Sequence, residues 1–305
     1  DTMESRIFQI AQYRTVEGFA SIRNLLWPVM DRIEKRQVGQ VPRGAPSGFK
    51  SLDDITTGFQ PSDLIIVAAR PSVGKTALSM NIAVHAASEG MGVAMFSLEM
   101  SRESIVQRLL CSEAQIDSQR VRQGTLTDED FTALSKAGGA LATYPIYIDD
   151  TPALTLLEMR SKARRLVREQ SIGLIIVDYL QLMRSPTFAK DRVQEVSDIS
   201  RSLKGLAREL KVPVMALSQL SRASEQRGGD RKPILSDLRD SGAIEQDADM
   251  VIFLHRAEMY EVMDTQGNPT AGRADLIVAK HRNGPTGQLR MVFNKQCTRF
   301  FEATT

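Results

Sequence analysis

The run Leu64-Ile65-Ile66-Val67-Ala68 passes directly into Ala69-Arg70-Pro71-Ser72-Val73-Gly74-Lys75-Thr76 and then Ala77-Leu78-Ser79-Met80-Asn81-Ile82-Ala83. No other segment narrows the possible folds as much: a buried strand, a phosphate-binding loop and a helix follow one another without a break. In such a loop consecutive backbone N–H groups, here from Ser72 through Ala77, wrap a triphosphate. Lys75 neutralises the β and γ oxygens, and the Thr76 hydroxyl ligates Mg²⁺. The helix N-terminus adds about half a positive charge at the same place. Small-residue turns imitate such a loop by chance, but strand, loop and helix in this order are harder to imitate. Ala69 stands where the pattern has its first Gly, yet Gly74-Lys75-Thr76 carries the contacts. The segment reads as a site for a nucleoside triphosphate with Mg²⁺.

Composition sets bounds on the rest. A chain of 305 residues is one large domain or two, long enough to bury a sizeable core. Its 42% hydrophobic and 25% charged content is that of an ordinary soluble globular protein. The net charge is only +2, so any nucleic-acid surface must be local. Cys111 and Cys297 lie far apart without metal-ligand spacing, and a reduced compartment is the simplest reading. His85, His255 and His281 are scattered, so a metal cluster is not expected. No apolar stretch reaches the roughly 20 residues of a membrane span, and no signal peptide is apparent. The chain opens at Asp1-Thr2, as a fragment or processed product would.

The first 45 or so residues read as a helical arm. Residues 4–14 place Ile7, Phe8, Ile10 and Ala11 on one helical face, and residues 22–35 carry Ile22, Leu25, Leu26, Val29, Met30 and Ile33. Val38 to Pro46 reads as a linker. An arm with an apolar face either meets a neighbouring subunit or packs back on its own domain. From Gly48 onward strands and helices alternate. Strands are expected at 64–69, 92–98, 146–148, 174–178, 212–218, 250–254, 274–279 and 288–293. Helices are expected at 76–88, 102–113, 128–142, 154–170 and 193–210. This alternation implies an α/β fold with a mostly parallel sheet covered on both faces. Turns at Gly267-Asn268-Pro269 and Asn283-Gly284-Pro285 imply an antiparallel extension at one edge.

Several strands end in polar groups. Leu174-Ile175-Ile176-Val177-Asp178 delivers a carboxylate to the carboxyl edge of the sheet, where open α/β sheets bind ligands, and Asp178 suits the metal there. Val93-Ala94-Met95-Phe96-Ser97-Leu98-Glu99 delivers another. Glu99 at that edge can activate water for attack on the γ-phosphate; the alternative is a helix N-cap region, since Ser101 and Ser104 can start the next helix. Pro213-Val214-Met215-Ala216-Leu217-Ser218-Gln219 ends in a group able to sense the γ-phosphate. The loop that follows, to Ser241, holds Arg222, Arg227, Gly228, Gly229, Arg231, Lys232 and Arg239. Such a loop suits phosphodiester contacts, and with almost no aromatic residues it does not point to base stacking. In Ala279-Lys280-His281-Arg282-Asn283-Gly284, Lys280 and Arg282 share a face. From spacing alone they read as a pair of surface charges beside a turn; the alternative is an arginine finger on a transferring phosphoryl group.

Taken together these segments resemble the RecA-like motor domain of DnaB-type replicative DNA helicases. The resemblance is carried by 64–76, Phe96-Ser97-Leu98-Glu99-Met100, Ile148-Asp149-Asp150-Thr151-Pro152 and Ile176-Val177-Asp178-Tyr179-Leu180-Gln181-Leu182. It continues through Ala216-Leu217-Ser218-Gln219-Leu220-Ser221-Arg222, Ser236-Asp237-Leu238-Arg239-Asp240-Ser241-Gly242, Ile244-Glu245-Gln246-Asp247-Ala248-Asp249 and Ala279 to Gly284. That family also shows Ala at the first loop position. Ile7-Phe8-Gln9-Ile10-Ala11 resembles the linker helix that docks on a neighbouring subunit, making 1–45 an arm and 46–305 the motor domain.

The resemblance implies a ring-shaped homo-hexamer with ATP sites between subunits, moving 5′ to 3′ on single-stranded DNA. Lys75 and Thr76 would hold phosphate and Mg²⁺, Asp178 the Mg²⁺ through water, and Glu99 would be the base. Gln219 would link the γ-phosphate to the DNA loops, and Lys280 and Arg282 would act in trans. Arg239, Asp240 and Gly242 would line the channel; Arg222 belongs to the same basic loop, and Lys190 and Arg192 to a second DNA loop. For the full-length protein the resemblance implies a primase contact, a helicase loader and a place in a cytoplasmic bacterial or phage replisome, with no membrane. A RecA-like recombination or repair ATPase and a nucleotide-gated assembly module are the competing readings.

Overall fold

A computed structural model describes residues 19–37, 44–183, 192–221, 232–260, 263 and 269–303. The expected helix at 4–14, Lys190, Arg222, Arg227, Gly228, Gly229, Arg231, Gly267 and Asn268 lie outside the described residues. So do the side chains of Arg192, Arg239 and Asp240, although their backbone is described.

The chain divides into two units, Asp1–Arg43 and Gly44–Thr305. In the first, α1 (Ile22–Gln37) carries its apolar residues at the three- and four-residue spacing of one stripe. Leu25, Leu26, Val29 and Ile33 on that stripe are exposed.

The second unit opens with Ala45 and Phe59 exchanging backbone hydrogen bonds at 2.8 Å, around α2 (Lys50–Thr56). Then follow β1 (Leu64–Ala69), α3 (Lys75–Ser88), β2 (Gly92–Ser97) and α4 (Arg102–Ala114). Next come α5 (Ser118–Gln123), α6 (Asp128–Leu141), β3 (Ile146–Asp149), α7 (Leu156–Glu169) and β4 (Ile172–Asp178). A turn of 3₁₀-helix at Leu180–Leu182 precedes α8 (Arg192–Leu210) and β5 (Val214–Gln219). Another at Leu235–Ser241 leads into α9 (Gly242–Asp247), then β6 (Met250–His255), β7 (Arg273–His281), β8 (Gly287–Asn294) and β9 (Arg299–Glu302).

One sheet of nine strands runs in the order β3-β2-β4-β5-β1-β6-β7-β8-β9. The strands from β3 to β6 pair in parallel, and β7, β8 and β9 extend that edge antiparallel. Eight strands match the periodicity reading to within a few residues. β9 escapes it because it is short and carries charges at both ends; Phe300 alone points fully inward. α2, α5 and α9 escape it too, being six or seven residues long and too short to display a period.

Every residue of β1 is buried, since both faces are covered, and this is why it reads as an unbroken apolar run. Ile65, Val67 and Ala69 pack with Leu78, Ile82, Ile105 and Leu109 from α3 and α4. Leu64, Ile66 and Ala68 pack with Met159, Ile199, Leu203 and Leu206 from α7 and α8. Local signals set the helix starts. Ser101 caps α4 by accepting the Ser104 N–H at 3.3 Å, and Thr127–Asp130 and Thr155–Glu158 form capping boxes on α6 and α7.

Candidate active site

β1 and β5 end in register, Ala69 opposite Gln219, and β2 and β4 end in register, Ser97 opposite Asp178. Four strand ends therefore share the carboxyl edge of the sheet, and the phosphate loop springs from one of them. Gly74 is the N-cap of α3 with φ at 116°, a conformation open to glycine and strained for other residues. Lys75, Thr76 and Ala77 form the first turn of α3, where backbone N–H groups have no acceptor within the helix. The start of the loop is tied down by Arg70, whose Nη1 donates to the Leu220 carbonyl at 2.7 Å beyond β5.

Lys75 reaches back over the loop, its Nζ 3.3 Å from the Ala69 carbonyl. Burial lowers its pKa, and the charges of Asp178 and Glu99 oppose that shift. Thr76 Oγ1 donates to Asp178 Oδ2 at 2.6 Å. Asp178 is buried, and desolvation raises its pKa; the Thr76 hydrogen bond and Lys75 pull the other way, while Glu99 adds to the rise. A hydroxyl and a carboxylate this close are hard oxygen ligands of the kind Mg²⁺ takes, few in number when phosphates supply the others. The donor set therefore fits the ion.

Glu99 stands two residues beyond β2 and is exposed. The Leu98 N–H donates to the Asp178 carbonyl at 2.7 Å, and Ser97 Oγ donates to the Met100 carbonyl at 2.7 Å. These bonds pin the segment on either side of Glu99, close enough for its charge to act on both Lys75 and Asp178. The N-cap of α4 is Ser101, so the capping alternative is met by a residue other than Glu99.

Gln219 is exposed at the end of β5. Its backbone N–H donates to Gln181 Oε1 at 3.2 Å, and Gln181 Nε2 donates to Ser218 Oγ at 2.9 Å. Gln181 thus clamps the end of β5 from the 3₁₀ turn after β4. Only its place in a family-like segment marked it in the sequence, with no role attached. Arg239 and Asp240 lie in the 3₁₀ turn before α9, Gly242 opens α9, and Arg192 opens α8.

Lys280 and Arg282 do not join this cluster. His281 pairs with Met250, which aligns with Ile65 near the start of β1. The Arg282 N–H donates to the Asp249 carbonyl at 2.8 Å, and the Asp249 N–H donates to the Leu64 carbonyl at 3.0 Å. Arg282 is therefore level with Leu64, about 17 Å of strand before Ala69 at roughly 3.3 Å per residue. Its guanidinium donates to the Gln246 carbonyl, and the Lys280 ammonium to the Glu245 carbonyl, at the C-terminal end of α9. Desolvation, then the neighbouring Arg282 charge, lowers the Lys280 pKa.

Three side chains without a sequence signal back the phosphate loop. Arg256, just past β6, is buried and its Nη1 donates to the Val73 carbonyl at 3.2 Å. Phe293 of β8 and Phe300 of β9 complete this backing, with Phe300 against Gly74. Their partners are distant in the chain, which is why no local pattern marks them as backing the loop.

Residues 44–302 match the family model described as DnaB-like helicase C terminal domain. The chain is 48% identical over 301 residues to the replicative DNA helicase DnaC of Bacillus subtilis (strain 168), covering 97% of this chain and 65% of that relative. It thus spans just under two-thirds of that protein's length. Among solved structures, an ATPase domain superposes with a TM-score of 0.87 at 36% identity, covering 94% of this chain and all of that one. A DnaB-like replicative helicase, solved in a study of its interactions with primase, superposes with a TM-score of 0.83 at 35% identity, covering 98% of this chain and 71% of that one. Among the described residues no helix is long and apolar enough to cross a membrane.

Proposed function

Because this chain belongs to the DnaB-like helicase C-terminal domain family, we propose that it is the ATP-driven motor of a replicative DNA helicase. The observation that carries this reading is the Thr76–Asp178 contact of 2.6 Å at the mouth of the phosphate loop, with Glu99 beside it. The N–H groups from Ser72 to Ala77, with Lys75, bind the triphosphate, and Val73 and Gly74 shape the loop. Thr76, and Asp178 through water, would hold Mg²⁺, which would neutralise charge on the phosphates when bound. Glu99 takes the proton from the attacking water. Gln219 touches the γ-phosphate and relays its loss to the loop that leads to Arg239, Asp240 and Gly242. Those residues, with Arg222, Lys190 and Arg192, grip the backbone of single-stranded DNA without reading its bases.

Lys280 and Arg282 sit a strand length from their own phosphate loop, so they serve the site of a neighbouring copy. This arrangement supports a ring-shaped homo-hexamer with ATP sites between subunits, and the family resemblance supports stepping 5′ to 3′ along the strand. The helical arm of 1–45 docks on the adjacent motor domain 46–305. In the whole protein the ring works with a primase and a loader within a replisome.

The test is ATP hydrolysis with and without single-stranded DNA, at a protein concentration that favours assembly. Hydrolysis stimulated by DNA and abolished by Lys75→Ala is expected. Hydrolysis indifferent to DNA would overturn the motor reading and leave a self-contained ATPase.

A further inference from the structure

We propose that Arg256 is a positioning residue of the phosphate loop, holding the Val73–Gly74 peptide so that the Gly74 N–H faces the phosphates. This rests on the reading of the loop as the ATP site. A trans peptide is planar, with its C=O and N–H pointing in opposite directions. Arg256 Nη1 occupies the Val73 carbonyl at 3.2 Å from behind the loop. The N–H of the same peptide must then point to the other side, into the concavity. Were the peptide to flip, a carbonyl oxygen would face the phosphate oxygens, exchanging a hydrogen bond for repulsion. Gly74, with φ at 116°, has the backbone freedom to make such a flip easy. Something other than its own dihedral preference must hold it.

Arg256 is itself held rigidly. Its Nε donates to Glu258 Oε1 at 3.0 Å, and Nη2 donates to the same oxygen. Glu258 Oε2 accepts the Gly272 N–H at 2.9 Å. The guanidinium carbon lies 4.0 Å over the centre of the Phe293 ring, and Phe293 packs on Phe300 at 4.5 Å. The Phe300 ring in turn lies 3.0 Å from where a Cβ on Gly74 would be. A continuous stack from Arg256 through the two rings thus presses on Gly74 from beneath, while the guanidinium holds the preceding carbonyl.

Stability alone does not account for the arrangement. Both members of the Arg256–Glu258 pair are almost wholly buried, at 4% and 9% side-chain exposure. A buried ion pair typically gains little over apolar residues of the same volume. A flat fork that bonds a carbonyl with one arm and a carboxylate with the other is a geometric device that Lys cannot reproduce.

The experiment uses Arg256→Lys in the whole chain and measures KM and kcat for ATP, together with the melting temperature with and without nucleotide. Loss of loop positioning weakens phosphate binding in ground and transition states alike, so KM rises about tenfold while kcat at saturation stays within about threefold. The melting temperature without nucleotide should change little, and its rise on adding ATP should shrink. A purely structural role would lower kcat through a smaller active fraction and leave KM unchanged; that result overturns the proposal. If Arg256→Lys does not fold, the pair-removing variant Arg256→Met with Glu258→Gln carries the same test, because no buried charge is left unpaired; Lys295, 3.6 Å from Glu258, is exposed. Wild-type protein that binds no ATP, or Lys75→Ala that binds it normally, would instead overturn the underlying reading of the loop.

Discussion

Thr76 Oγ1 and Asp178 Oδ2 meet at 2.6 Å, although 102 positions separate the two residues in the chain. Burial raises the Asp178 pKa, so its ionised form destabilises the fold at neutral pH. Asp178→Asn keeps the shape and an acceptor for Thr76 but removes the charge. Melting of the nucleotide-free protein is expected to move up by a few degrees, while ATP hydrolysis falls by about 100-fold or more. Calorimetry and a phosphate-release assay on the same preparation check both halves.

Arg282 is level with Leu64 and not with the phosphate loop, through the chain of backbone bonds Arg282 to Asp249 to Leu64. Lys75→Ala and Arg282→Ala should each abolish hydrolysis as pure preparations. Mixed, they form interfaces in which an intact loop faces an intact finger, and a fraction of the activity should return. No recovery in the mixed sample would mean that Arg282 acts within its own chain.

Gln219 keeps its backbone place through Gln181, which accepts its N–H at 3.2 Å. Truncating the exposed side chain in Gln219→Ala therefore leaves β5 standing. The rate of ATP hydrolysis should stay within about tenfold while strands separated per ATP drop sharply, since one relay is removed without touching the phosphate loop. Wild-type unwinding per ATP in this variant would remove Gln219 from the relay.

Asp63, buried beside Asp249 at the start of β1, has its carboxyl pushed up to about 6, first by burial and then by the Asp249 charge, against Lys204, His281 and Arg282. Its ordinary value is 3.8, so between these values the folded state binds more protons than the unfolded one. Protonated Asp63 therefore favours the fold fully at low pH, and that contribution is lost as pH rises through about 6. Asp63→Asn should raise the melting temperature relative to wild type at about pH 8, with the difference closing toward about pH 4. A difference independent of pH would show that the carboxyl does not titrate in this way.

Much of this molecule was legible in one dimension. The apolar runs ending in Asp178, Glu99 and Gln219 announce parallel strands delivering polar groups to one edge, because a strand buried on both faces needs continuous apolar residues. Ser101 marks its helix for an equally local reason, since a cap bonds within three residues, while the caps at Thr127 and Thr155 are seen only in the structure. β9 and the short helices were not legible, because charges and brevity hide their period.

What the sequence by itself determined was the list of chemical groups and the element that carries each. Backbone propensity, capping and period act over a few residues and need no partner. The tertiary structure decided which groups meet. It placed Thr76 against Asp178, sent Lys280 and Arg282 to the opposite end of the strands, and backed Gly74 with Arg256, Phe293 and Phe300. Those relations depend on strand order and register in a nine-stranded sheet. Order and register follow from how two buried faces pack as a whole, which no single segment encodes.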